Sequence, residues 1–112
     1  MNTPRVYKTK AIILKHAKLG EADRLLTLYT PYLGKIHAVA KGVAKPSSRL
    51  GGHTQLLAHS QMMLARGRNL DIVTQSQTID SFLPLRQDLW RMGCALYAAE
   101  LVDRFTQEHM EI

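Results

Sequence analysis

The feature that most limits the fold is a change of hydrophobic period near residue 80. Before it, apolar residues recur at every second position in short runs broken by Gly, Pro, Asn and Ser; after it they recur at three- and four-residue spacing. Period two describes a strand with a buried face and three-to-four spacing describes a helix, so the chain predicts a series of strands followed by a helix. From Val6 to His16, Tyr7, Ala11 and Ile13 hold one parity, while Val6, Ile12 and Leu14 share the other with Lys8 and Lys10. Apolar side chains on both faces over part of the length suit a barrel strand. Leu25 to Thr30, closed by Pro31, is a second strand. Ile36 to Ala40 is a third, with Ile36, Ala38 and Ala40 opposite Lys35, His37, Val39 and Lys41. Gln55 to Ala65 and Leu70 to Ile79 are a fourth and a fifth, joined by the turn Arg66-Gly67-Arg68-Asn69, where Gly67 is expected to supply a positive φ. Gly42 to Gly52, rich in Gly and Ser, reads as an exposed loop. Five strands without an interior helix long enough for a parallel crossover predict a small antiparallel barrel over residues 1–80.

Residues 81–112 then predict the first helix of a helical unit, with Ser81 as N-cap, Pro84 in the first turn and Asp88 near the positive end of the dipole. The helix is expected from Leu85 to Met110. Leu85, Leu89, Met92, Leu96 and Ala99 form one apolar stripe, and Trp90, Cys94, Tyr97, Leu101 and Phe105 form another beside it. A small barrel covers only one side of so wide a face. The remainder calls either for dimerisation through the helix or for further helices past Ile112.

Charge narrows the function classes. The 112 residues carry a formal net charge of +6, unevenly placed. Met1 to Leu70 holds twelve Lys and Arg against only Glu21 and Asp23, whereas Asp71 to Ile112 holds three Arg against seven acids. A block so basic attracts polyanions, and nucleic acid is the commonest of these inside cells; a solubilising surface with no ligand is the competing account. The longest apolar run, Cys94 to Ala99, is far short of the roughly 20 residues that cross a bilayer, so no membrane span is expected. No apolar stretch follows Arg5 as a secretory signal would require, and the lone Cys94 offers no intramolecular disulfide. Both favour a cytoplasmic location.

Catalytic and metal chemistry find little support. His16, His37, His53, His59 and His109 show no paired ligand spacing, and nucleophile elbows, phosphate-binding Gly fingerprints and metalloprotease signatures are absent. No cofactor and no enzymatic activity are expected. Glu21 and Asp23, beside Arg24, read as a local ion pair or a turn device. The basic residues make a better case. Lys35 and Lys41 leave the same face of the third strand, Lys45 and Arg49 extend the line into the loop, where Ser47 and Ser48 add neutral donors, and Arg24 opens the second strand. These five cations are the candidate nucleic-acid contacts, made through phosphates. Lys8, Lys10, His37, Arg66 and Arg68 form a second, wider set; each of the Lys and Arg residues is equally well read as a solvated side chain, and His37, which shares a strand face with Lys35 and Lys41, is better read as a plain surface His than as a phosphate neighbour. Tyr7, Tyr29 and Tyr32 are available as stacking platforms, although a barrel Tyr is more often core or rim.

The run Gly20-Glu21-Ala22-Asp23-Arg24-Leu25-Leu26-Thr27-Leu28-Tyr29-Thr30, then Gly34-Lys35-Ile36 and Ala40-Lys41-Gly42, resembles the amino-terminal part of the RecO family, bacterial mediators of recombinational DNA repair. Ser48-Arg49-Leu50, Leu83-Pro84-Leu85-Arg86-Gln87-Asp88-Leu89 and Ala98-Ala99-Glu100-Leu101 follow in the same order. The resemblance implies an oligonucleotide/oligosaccharide-binding (OB) barrel followed by a helical domain. It also implies a nucleoid-associated protein that binds single- and double-stranded DNA, anneals strands, and acts with a RecR-like partner to load a recombinase onto DNA coated by single-stranded DNA-binding protein. Members of that family are about twice as long and many carry a Cys-rich zinc site beyond the first helix, so the resemblance further implies a fragment. Two other readings use the same charges: an RNA-binding barrel of the translation apparatus, and an interaction module that docks acidic tails.

Overall fold

In the computed structural model, residues 5–48 and 50–106 are described. Five strands, β1 (Val6–Leu19), β2 (Asp23–Thr30), β3 (Gly34–Ala40), β4 (His59–Ala65) and β5 (Asp71–Asp80), precede two helices, α1 (Leu83–Arg86) and α2 (Leu89–Phe105). The strands close into a barrel in the order β1-β2-β3-β5-β4, the mainly β architecture of an OB fold with a C-terminal helix. One pairing departs from the antiparallel expectation. β3 and β5 run parallel over the short ladder Ala38–Asp71 and Val39–Ile72, while the other four pairings are antiparallel.

β1 makes closure possible. Its first half, Val6 to Ile12, pairs with β4, and its second half, Ile12 to Leu19, pairs with β2. A register shift between Ile13 and Lys15 marks the bend, as a bulge turns a strand and increases its twist. Inward positions follow the alternation: Ala11 and Ile13, Leu26 and Leu28, Ile36 and Ala38, Met62 and Leu64, and Val73 are buried in one cluster. Each fully buried Leu, Ile or Met contributes about 1.5–3 kcal/mol. The buried Thr30 closes the β2–β3 turn, its Oγ1 donating to the Gly34 carbonyl (2.8 Å) and accepting from the Leu33 N–H (3.0 Å).

Four local expectations are corrected. β1 runs on past His16 to Leu19, and β4 begins only at His59, because residues 56–58 turn through a Leu57 with φ of 66°. Gly67 does not have a positive φ; it is required because a Cβ there would lie 1.9 Å from the Leu70 carbonyl oxygen. The single expected helix is two. Phe82, not Ser81, stands at the N-cap of α1, and Asp88 begins α2, its carboxylate accepting from the Arg91 N–H at 3.1 Å. An Asp that bonds the backbone ahead of it favours a cap over a helix interior, so the helix breaks at Gln87–Asp88. Met110, the expected end, lies outside the described residues. Arg86 explains its place in the Leu-Pro-Leu-Arg run: its guanidinium donates to the Ser81 carbonyl (2.6 Å) and to the Leu56 carbonyl, tying α1 to the segment before β4.

The tip of the barrel is fastened by one side chain. Gly20 turns β1 into β2 with a φ of +72°, and Asp23 Oδ1 accepts from the Gly42 N–H at 2.7 Å. Beside it, the Ala44 N–H donates to the Ala22 carbonyl at 2.9 Å, so the segment after β3 is held against the β1–β2 turn. Asp23→Ala is expected to lower stability by about 1.5–3 kcal/mol, the range for a hydrogen bond to a charged group. Asp23→Asn, which keeps an acceptor oxygen, should lose less; urea denaturation of the three proteins checks the order.

Candidate nucleic-acid interface

Because Asp23 anchors Gly42, cations distant in sequence come together at the tip. Register places Lys18 opposite Arg24, and Arg24 opposite Ala40, so two basic side chains sit side by side on neighbouring strands with Lys41 next along the chain. The Lys45 stem passes close to Gly42, Cδ being 3.9 Å from where a Cβ would stand. Backbone bonds from Lys45 N–H to the Gly42 carbonyl (3.1 Å) and from Ser48 N–H to the Lys45 carbonyl (3.0 Å) shape this segment as consecutive turns. Lys18, Lys41 and Lys45 are exposed and, among the described residues, none is paired with a carboxylate. Arg24 is half-buried and donates to the Asp23 carbonyl at 2.9 Å, which orients its guanidinium. Asp23, the nearest acid in the motif, spends its charge on a backbone N–H: it is a turn device, one of the two roles read for it from the sequence.

Lys35 does not join this surface, contrary to the sequence expectation. Its ammonium donates to the Asp103 carboxylate at 3.2 Å and to the Asp103 carbonyl at 2.8 Å, with only 11% of the side chain exposed. Lys35 does leave the outer face of β3, as the alternation predicts, but Asp103 of α2 meets it there. Thr27 and Val39, on the same outer face of β2 and β3, are buried as well. On the β2–β3 face, where OB folds usually take their ligand, these three side chains are therefore largely withdrawn from solvent. His37 is half-buried on it opposite Thr27, and Arg49 lies outside the described residues.

The wider basic set divides. Lys8 and Lys10 are exposed on the outer side of β1, opposite Met63 and Gln61, on a different wall from the tip. Arg66 stacks over the Tyr7 ring, 4.5 Å from its centroid, so that Tyr7 has a guanidinium on its face instead of an open one. The Tyr7 hydroxyl donates to Asp71, which also accepts from the Gly67 N–H at 3.2 Å, bracing the β4–β5 turn against β1. Arg68 is exposed in that turn, and Tyr32 is exposed at the β2–β3 turn. Lys18 was missed as a candidate because β1 was ended at His16; the alternation Ala17, Lys18, Leu19 carries the signal for the longer strand.

Comparison with known proteins identifies a family. The family described as "Recombination protein O N terminal" matches residues 1–82. The DNA repair protein RecO of a Roseiflexus species is 56% identical over 107 residues, covering 96% of this chain and 38% of that protein. Its namesakes in Dehalococcoides mccartyi and Heliobacterium modesticaldum are each 50% identical, over 96% and 94% of this chain and 43% and 38% of theirs. The fold and the fastened tip define a small OB-type barrel with a cationic end. The chain belongs to the RecO amino-terminal family, and it spans about two fifths of the length of these relatives.

Two outcomes follow from these contacts. Lys35→Met should cost about 1.5–3 kcal/mol of stability by stripping a charged hydrogen-bond partner from Asp103, seen as a lower urea midpoint. Burial first, then the bond to and charge of Asp71, push the Tyr7 phenol above the ordinary value near 10, with Arg66 opposing. The folded state therefore holds the Tyr7 proton more tightly than the unfolded chain does. That stability is fully present below about pH 10 and is lost as pH rises through the higher folded value. Of the four tyrosines, Tyr7 should ionise last in a phenolate absorbance titration, and Tyr7→Phe should remove the late step.

Proposed function

We propose that this chain is the DNA-binding barrel of a recombinational repair protein. It grips single- and double-stranded DNA through phosphates at Lys18, Arg24, Lys41 and Lys45, with Arg49 of the same loop as a further contact. The observation that supports this most is the Asp23–Gly42 bond, which gathers exposed, carboxylate-free ammonium groups from two separate segments onto one end of the barrel. Positive groups held in place and not ion-paired among the described residues draw in a polyanion without base identity. Binding is the whole of the chemistry on this reading, with no covalent step and no cofactor. Family membership favours DNA over RNA or an acidic tail as the polyanion. By the same resemblance the longer protein anneals strands and, with a RecR-like partner, loads a recombinase onto DNA coated by single-stranded DNA-binding protein in the nucleoid. α2 leaves Leu89, Trp90, Tyr97 and Phe105 more than two-thirds exposed, and self-association through that face belongs to the same reading.

Four neutralised phosphates predict that log affinity for a single strand falls against log salt with a slope of roughly −3. Lys41→Ala with Lys45→Ala should flatten that slope by roughly 1.4 and weaken all sequences alike. Lys35→Met should leave it unchanged. Anisotropy titrations at several salt concentrations, with RNA of equal length as competitor, provide the check; a flat response, or tighter capture of the RNA, overturns the reading.

A further inference from the structure

The wall formed by β1, β4 and β5 has a composition of its own. Register sets its outward residues in two rows across the three strands, Lys8–Met63–Gln75 and Lys10–Gln61–Gln77. The segment at residues 50–53 rises along one side, leaving an open groove of about 920 Å³. That side is fixed in place. The His53 carbonyl accepts from Ser76 Oγ at 2.6 Å, and His53 Nδ1 accepts from the Thr78 N–H at 3.1 Å, which leaves the ring proton on Nε2. Among the described residues, the groove lining contains no carboxylate. Among the described residues, neither the Lys8 and Lys10 ammonium groups nor the Gln61, Gln75 and Gln77 amides make a hydrogen bond or ion pair.

We propose that this wall is a second site for single-stranded nucleic acid, separate from the tip, with phosphates at Lys8 and Lys10 and bases over the glutamine rows. The inference rests on the DNA-binding reading above and extends it. Two residues along a strand span about 6.8 Å and two strand spacings about 9.6 Å. The lysines are therefore placed for successive phosphates of a stretched strand, and Gln75 and Gln77 stand a base's reach away. Amides offer both a donor and an acceptor to base edges, and Met63 gives an apolar floor for a ring face. The carboxylates of an acidic peptide would satisfy the two lysines but bring no ring face to Met63. Two sites on different walls let one chain hold two strands at once.

The experiment uses the whole 112-residue chain and an oligothymidylate of about eight nucleotides, within the range a single OB barrel accommodates. Titration to saturation should give two oligonucleotides per chain. Gln61→Glu with Gln77→Glu, isosteric changes on exposed or half-exposed positions, should reduce this to one by repelling phosphate. Lys41→Ala with Lys45→Ala should also leave one, and that one should shift the Gln61, Gln75 and Gln77 side-chain amide resonances. One oligonucleotide per chain, unaffected by the glutamate pair and lost with the tip pair, overturns the second site and leaves the tip intact. Two oligonucleotides per chain in the parent and in both variants overturns both site assignments, and no binding by the parent chain overturns the DNA-binding reading itself. An oligoglutamate peptide that moves the same amide resonances while the oligothymidylate does not also overturns the proposal.

Discussion

Everything in this molecule depends on β1 bending so that one strand pairs with two neighbours. Without the register shift after Ile13, the first and last halves of β1 could not serve β4 and β2 together, and the sheet would be left with two open edges. Closure seals the inward row of Ile13, Leu28, Ile36, Met62 and Leu64 from water. It also fixes which side chains face outward on each wall. The basic groups are therefore sorted by topology: tip for Lys18, Arg24, Lys41 and Lys45, wall for Lys8 and Lys10, and the face beneath α2 for Lys35.

The helix sits on the barrel by polar means more than apolar ones. Of α2 only Ala99 is buried, while Leu89, Trp90 and Phe105 stand in the open. Lys35 and Asp103 supply the directed contact between β3 and α2. A buried ion pair contributes less net stability than apolar packing of equal size, but it tolerates few alternative geometries. Here it ties the end of α2 to β3 and takes Lys35 out of the exposed set.

The short motifs that mark the family turn out to be mostly joints. Asp23 exists to hold Gly42, Gly42 to accept a φ of +66° at that joint, and Arg86 to tie α1 to the Leu56 carbonyl. A patch of loop cations is useful for phosphate only if its geometry persists when the ligand is absent, because ordering a mobile loop on binding subtracts from affinity. The joint at Asp23 meets that need for Lys41 and Lys45.

Strand number, inward parity and the change to helix were legible in the residues, because alternation and three-to-four spacing are local and each side chain carries its own preference for water. The basic amino-terminal block was legible for the same reason. Pairwise events across the fold were not: that Asp103 would neutralise Lys35 at a separation of 68 residues, that Arg66 would cover Tyr7, or that β3 would meet β5 in parallel. Those contacts depend on which surfaces closure brings into register. The chain by itself determined what each segment prefers to be, and tertiary structure decided which charges remained for a partner, since a cation's availability is set by the groups that folding puts beside it.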